Sequence, residues 1–200
     1  MAKKIAIILN YIFFLAQLLI AVGFIAKRQY IFIFSPGTTS LVYVGIVLTE
    51  KFSTFRLNNF TRALLIITIT SHDFFGEYLN FYTNVTYFDK FLHMFGAFSF
   101  ALVAFELLSH FINISTSKPK LLTFIIVLLL GISLGTIFEL QEFLLDIITK
   151  GRNQGGLIDT DVDMFHNLIG SVLAGLFQVR LKPLIRRETE NNQIKFKWPH

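Results

Sequence analysis

Cysteine is absent from the 200 residues, which excludes a disulfide framework and any thiolate metal site. Charge is scarce as well: charged residues make up 16% of the chain, against 54% apolar residues and 24 phenylalanines. A soluble domain of this size needs a larger polar surface, so that class is excluded too. No His-Glu-x-x-His motif occurs, and no nucleophile-and-base pair stands out. No nucleic-acid motif competes for the net charge of +5, and no convincing internal repeat of the kind found in many transporters is visible.

What is present in abundance is long apolar sequence. "IAIILNYIFFLAQLLIAVGFIA" (5–26) and "LLTFIIVLLLGISLGTIF" (121–138) each reach the length that crosses a bilayer core. Lys3 and Lys4 before the first run, with Ala21, Val22 and Gly23 near its end, resemble a cleavable signal. The run nevertheless continues for about a full span, which favours a retained first helix. Asn-x-Ser/Thr triplets start at Asn59, Asn84 and Asn113 and have meaning only in a secretory pathway.

The pattern predicts one all-α, polytopic helical bundle with six membrane helices over about 5–26, 36–54, 60–80, 89–113, 121–148 and 160–181. The transmembrane domain is expected to occupy 1–182, followed by a basic polar tail over 183–200. The second helix has the shortest apolar part, with Ser35 read as its N-cap and Pro36 at its first position, and full spanning is left open.

Six spans place thirteen of the eighteen basic residues on one side: Lys3, Lys4, Lys51, Arg56, Arg62, Lys118, Lys120, Arg180, Lys182, Arg186, Arg187, Lys195 and Lys197. Lys27, Arg28, Lys90, Lys150 and Arg152 fall on the other. Positive residues mark the cytoplasmic side, so both termini are expected there. The tail from Arg180 either fixes topology or touches anionic headgroups.

The acids lean the opposite way. Nine of thirteen fall toward the outer side: Asp73, Glu77, Asp89, Glu139, Glu142, Asp146, Asp159, Asp161 and Asp163. His72, His93 and His166 accompany them. Residues three or four apart share a helix face. Glu139, Glu142 and Asp146 therefore form one stripe. Asp89, His93 and Gly96 form a second, and Asp159, Asp163, His166, Asn167 and Gly170 a third. His72 with Gly76, and Asp73 with Glu77, add a fourth helix end. At about 1.5 Å per residue, Glu139 lies roughly 27 Å from the start of its helix. These groups then reach a similar level just inside the outer interface, with His72, roughly 18 Å up its helix, somewhat deeper, while Glu106 and His110 lie near the other edge. Gly131 and Gly135 share the face of Glu139. Gly170 with Ala174, and Ser171 with Gly175, give the last helix small-x-x-x-small pairs that favour close approach.

So many carboxylates at one level need a cation, protonation, or pairing with Lys90, Lys150 and Arg152. Carboxylate and imidazole ligands suit zinc, manganese or magnesium, and the histidines make the first two better suited than calcium. The candidate metal ligands are His93, Glu139, Glu142 and Asp163, with Asp159 as the base that activates water. His72, Asp89, Lys90, His166, Asn167 and Gln154 complete the polar cluster. Blander readings stand beside these: Asp146 and Asp161 solvated, Lys90 snorkelling or paired, Asn167 bonding across helices, and "GRNQGG" (151–156) a plain loop.

The blocks "SHDFFGEY", "YFDKFLHMFGAF", "FELL" (105–108), "FELQEFLLD" and "NQGGLIDTDVDMFHNLIGS" resemble the YjdF-like family of bacterial integral membrane proteins over roughly 65–176. That resemblance implies a multi-pass membrane protein without an assigned reaction. It points to His72, Gly76, Asp89, His93, Glu106, Glu139, Glu142, Gln154, Gly155, Asp159 and Asp163. "DKFLH", the Glu139/Glu142 pair and the pattern from Asp163 to Gly170 are similar, more loosely, to VanZ-like membrane proteins, a family associated with glycopeptide resistance.

The leading functional expectation is a metal-assisted site that binds or acts on a lipid-linked or envelope substrate, with membrane lipid as neighbour and no nucleic-acid partner. The alternatives are a small proton- or cation-coupled transporter and a non-catalytic membrane scaffold.

Overall fold

The computed structural model describes residues 2–112, 119–151 and 154–181. The tail over 183–200, and the positions of Asn113, Lys118, Arg152 and Lys182, lie outside the described residues. Among those described there is no strand. The helices are α1 (Ala2–Ala26), α2 (Phe34–Phe52), α3 (Asn59–Thr70), α4 (Phe81–Asn84), α5 (Phe88–Phe111), α6 (Lys120–Thr149) and α7 (Leu157–Leu176). A 3-10 turn, Tyr30–Ile33, leads into α2. π-helical segments extend α3 through Ser71–Tyr78 and α7 through Phe177–Leu181.

Among the described residues five helices are long and apolar enough to cross a membrane: Lys3–Ala26, Tyr30–Phe52, Phe88–Phe111, Lys120–Ile148 and Leu157–Arg180. Their outward faces are apolar and bare. On α1, for example, Tyr11, Leu15, Leu18, Leu19 and Val22 are exposed while Phe13, Gln17, Ile20 and Phe24 turn inward. An exposed apolar belt of this extent fits lipid and would not persist in water.

The second expected span was cut too short at its start. Its 3-10 lead-in brings Tyr30–Phe52 to full spanning length, and Ser35 lies inside the helix rather than capping it. The third expected span differs in kind. α3 and its π-helical extension run from Arg62, whose guanidinium meets Asn10 near the start of α1, to Tyr78, whose carbonyl accepts from Lys27 at its far end. It therefore traverses the bundle beside α1, but its many buried polar residues lower its hydropathy.

α5 is the central helix. On one side it joins α1, α2 and α3 around Phe13, Tyr43, Ile46, Leu65, Ile66, Ile69 and Val103. On the other it joins α6 and α7 around Ala101, Leu102, Phe105, Val127 and Ala174. Small residues set the close approach of the second group. A methyl at Gly170 would strike the Met94 carbonyl, at Gly131 the Ser171 side chain, and at Gly135 the Asn167 amide. Helix association in lipid depends on such contacts because apolar surface there has no water to escape.

The two ends of the bundle differ chemically. At the end holding the chain start, Glu106 accepts from the Asn58 amide at 2.9 Å and from Thr61 Oγ1 at 2.8 Å, while Asn58 Oδ1 caps Phe60 N. The Asn58 and Phe60 N–H groups met in this way are donors that the start of α3 leaves without helical partners. Glu106 thus sits away from the acidic end, at the level its position along α5 implies.

Candidate functional site

The opposite end gathers the acids. α5 begins there with Asp89, Lys90 and His93 in its first turns; α6 brings Glu139 and Glu142 up to the same level; α7 begins with Asp159 and Asp163. α6 stops at Lys150, whose φ of 55° reverses the chain, and Gly155 and Gly156 have positive φ in the following turn. Gly155 is required on two counts. Its φ of 62° is left-handed, and an added Cβ would run into the Asp159 carboxylate.

Lys90 is the hub. Its Nζ reaches Asp89 Oδ2 at 3.0 Å and Asp163 Oδ2 at 2.9 Å, and it also pairs with Asp159 Oδ1. One amine therefore ties the start of α5 to the start of α7. Lys90 had been expected either to snorkel or to pair, and the structure pairs it with three carboxylates. Lys90, His93, Ala97 and Ala101 follow a helical 3, 4, 4 spacing along the inward face, a signal already present in the sequence.

His93 lies beneath this hub. Its Nε2 is 3.4 Å from Asp89 Oδ1 and 4.0 Å from Asp163 Oδ1, and its Nδ1 is 3.5 Å from Glu139 Oε1. Asp89, His93 and Asp163 each direct one ligand-type atom into a space within which all three lie no more than 4.8 Å apart. Asp163 and Glu139 are only 2% and 3% exposed, yet among the described residues Asp163 Oδ1 and both Glu139 carboxylate oxygens have no hydrogen-bond partner. Buried acceptors of this kind need a partner, and these face the same seam.

Other expected members stand elsewhere. Glu142 is half-buried beside His93 and Glu139, with no hydrogen bond or ion pair among the described residues. Asp159, the expected base, is 36% exposed on its side chain and occupied by Lys90. His166 does not join: its Nδ1 lies 2.8 Å from the Val162 carbonyl of its own helix. Asn167 is buried against Gly135, one turn below Asp163, and its Nδ2 has no partner. Gln154 enters only through its backbone amide, which donates to Asp146 Oδ2 at 3.0 Å, so Asp146 is not simply solvated.

His72 belongs to a second polar centre between α1, α2 and the π-helical end of α3. Asp73, fully buried, accepts from Gln17 Nε2 at 2.9 Å, Ser35 Oγ at 2.6 Å and Thr39 Oγ1 at 2.8 Å. Ser35 Oγ is also 3.2 Å from His72 Nε2, and His72 Nδ1 is 2.5 Å from Tyr82 Oη. Tyr82 lies over Gly76, where a methyl would collide with its ring. Tyr82, on α4 outside the spans, has its phenol pushed well above the usual range by burial and then by the negative field of Asp89, Glu77, Glu142 and Asp73.

A third centre lies toward the other end. Arg62 is fully buried, pairs with Glu50, and donates to Asn10 Oδ1 at 2.8 Å and Tyr43 Oη at 3.3 Å. Its place on the face that continues through Leu65, Ile69, Asp73 and Gly76 marks it as inward. The positive-residue count had treated it as a surface marker.

A helical chain with this apolar belt and polar ends matches the model of a family described as "Predicted membrane protein (DUF2238)" over residues 7–183. The chain belongs to that family. The chain is also similar to an uncharacterised protein of Thermotoga maritima, 30% identical over 122 residues, 60% of this chain and 62% of that protein's length. No solved structure matches. These matches support a multi-pass membrane protein in contact with lipid, and nothing in them supports the VanZ-like resemblance.

Proposed function

We propose that this DUF2238 protein holds a divalent cation at the acidic end and uses it to bind, or act on, a lipid-linked or envelope substrate. The orientation in this reading is outward from a bacterial inner membrane. The ligand set differs from that expected. Asp89 joins His93 and Asp163, Glu139 stands alongside, and Glu142 falls back to a supporting charge. The observation that carries the reading is the set of unpartnered, buried oxygens on Glu139 and Asp163 beside His93. Five carboxylates share this seam with two basic side chains, and a cation of zinc, manganese or magnesium type would neutralise the excess. At the membrane mouth it would act as a Lewis acid toward a carbonyl or phosphoryl oxygen. Lys90 would keep Asp89 and Asp163 aimed at it.

Lys90 also favours a second reading, in which its three ion pairs are purely structural and the protein is a scaffold. Metal analysis of the purified protein separates the two. Bound metal in the wild type, lost in Asp163→Asn and His93→Ala and kept in Asp161→Asn, is expected. A metal-free wild type whose melting ignores both chelator and added divalent cations would leave only the scaffold.

A further inference from the structure

We propose that Asp73, Ser35, His72 and Tyr82 form a one-sided proton relay, with Asp73 as a buried proton-binding site that communicates only with the acidic end. The relay does not depend on whether a cation occupies the acidic centre.

Its links are the hydrogen bonds already given: Tyr82 Oη to His72 Nδ1 at 2.5 Å, His72 Nε2 to Ser35 Oγ at 3.2 Å, and Ser35 Oγ to Asp73 Oδ1 at 2.6 Å. Each intermediate member is a side chain that both donates and accepts. With His72 carrying its proton on Nε2, a single shift balances. Tyr82 gives its proton to Nδ1, Nε2 gives its own to Ser35, and Ser35 gives its hydroxyl proton to Asp73. The Tyr82 oxygen is reprotonated from the side of Asp89, Glu77 and Glu142, the carboxyl groups whose field reaches it. His72 is left as the other tautomer.

The destination suits a proton. Asp73 has no exposed surface and no Lys or Arg partner among the described residues. The titratable groups that face it are His72 and Glu77 on its own helix and Tyr82 on α4. α1 and α2 offer only the Gln17 amide and the Ser35 and Thr39 hydroxyls. Once protonated on Oδ1, Asp73 would donate back to Ser35 Oγ, whose new hydroxyl proton then meets the Nε2 that has just become an acceptor, so the site satisfies both protonation states.

Toward the other end the path is closed. Along the inward face of α1, Gln17 is followed by Phe13, fully buried and packed against Tyr43 in a tilted pair with ring centroids 4.1 Å apart. Only beyond that pair does Asn10 begin the Arg62 centre. The arrangement stores a proton rather than conducting it.

Infrared spectroscopy of the full chain in lipid tests this. A protonated-carboxyl stretch that is lost in Asp73→Asn, and that shifts on exchange into heavy water, is expected. In Tyr82→Phe, whose ring still packs on Gly76, and in Ser35→Ala, the exchange should slow by about tenfold or more. Ser35→Thr, which keeps a hydroxyl, should restore it. Absence of any Asp73-dependent band from acid to neutral pH, or unchanged exchange in Tyr82→Phe, would overturn the relay. Vesicles under an imposed pH gradient should show background proton flux, and flux that disappears in Asp73→Asn would overturn its one-sidedness.

Discussion

Single side chains carry most of the chemistry, and their depth decides how each can be read. Glu139, Asp163 and His93 could be placed from spacing alone because their stripes begin at helix ends, where counting errors are small. Asp73 and Arg62 lie eleven residues apart on one inward face, yet only packing reveals that Asp73 meets hydroxyls and Arg62 meets Glu50. Breaking a buried pair by removing one partner leaves an uncompensated charge. Glu50→Ala is therefore expected to cost about 3–5 kcal/mol, read as a loss of thermal stability in detergent, while Glu50→Leu combined with Arg62→Met recovers much of it. Lys90→Met should behave differently. It releases three carboxylates at once, so its melting temperature should fall most at high pH and recover on acidification or on addition of divalent cations. A variant equally stable at every pH and cation concentration would show that Lys90 does not neutralise the centre.

At the level of elements, the apolar spans were legible because the length imposed by a bilayer leaves few alternatives, and five of the six expected segments are long and apolar enough to cross. Helix register within them was less so. The π-helical stretch Ser71–Tyr78 has no sequence signature comparable to a proline, and it separates His72 from the acidic centre that simple depth had assigned to it. Ser35 misled for a related reason: serine before proline reads as a cap, but here the helix starts earlier and the hydroxyl is directed at Asp73. The glycine seams were legible, and they differ in consequence. Gly170→Ala places a methyl on the Met94 carbonyl and should destabilise by about 1–3 kcal/mol, since backbone cannot step aside as a side chain can. Gly45→Ala meets nothing within 4 Å and should be neutral or stabilising by up to about 1 kcal/mol. Thermal midpoints of the two variants, measured side by side, check the pair.

For the whole molecule, the test is sidedness. Thirteen basic residues against five predict that cysteines placed near residue 154 and near residue 190 label from opposite faces of intact cells. Labelling of both from outside would detach the acidic end from its assigned side and with it the proposed substrate class. The Lys90 hub also constrains how the protein is made. Its partners Asp159 and Asp163 follow it by 69 and 73 residues, so α5 leaves the ribosome long before α7 exists. During that interval Lys90 has only Asp89 at hand, and α6 enters carrying Glu139 and Glu142 with no neighbour from α7. A charge near the centre of a lone helix costs about 2.5–3.5 kcal/mol on insertion. Near the helix ends, where these side chains lie, the interface offers an easier berth. The last helix thus acts as the latch of biosynthesis: until it arrives, the preceding ones are membrane segments awaiting their counter-charges.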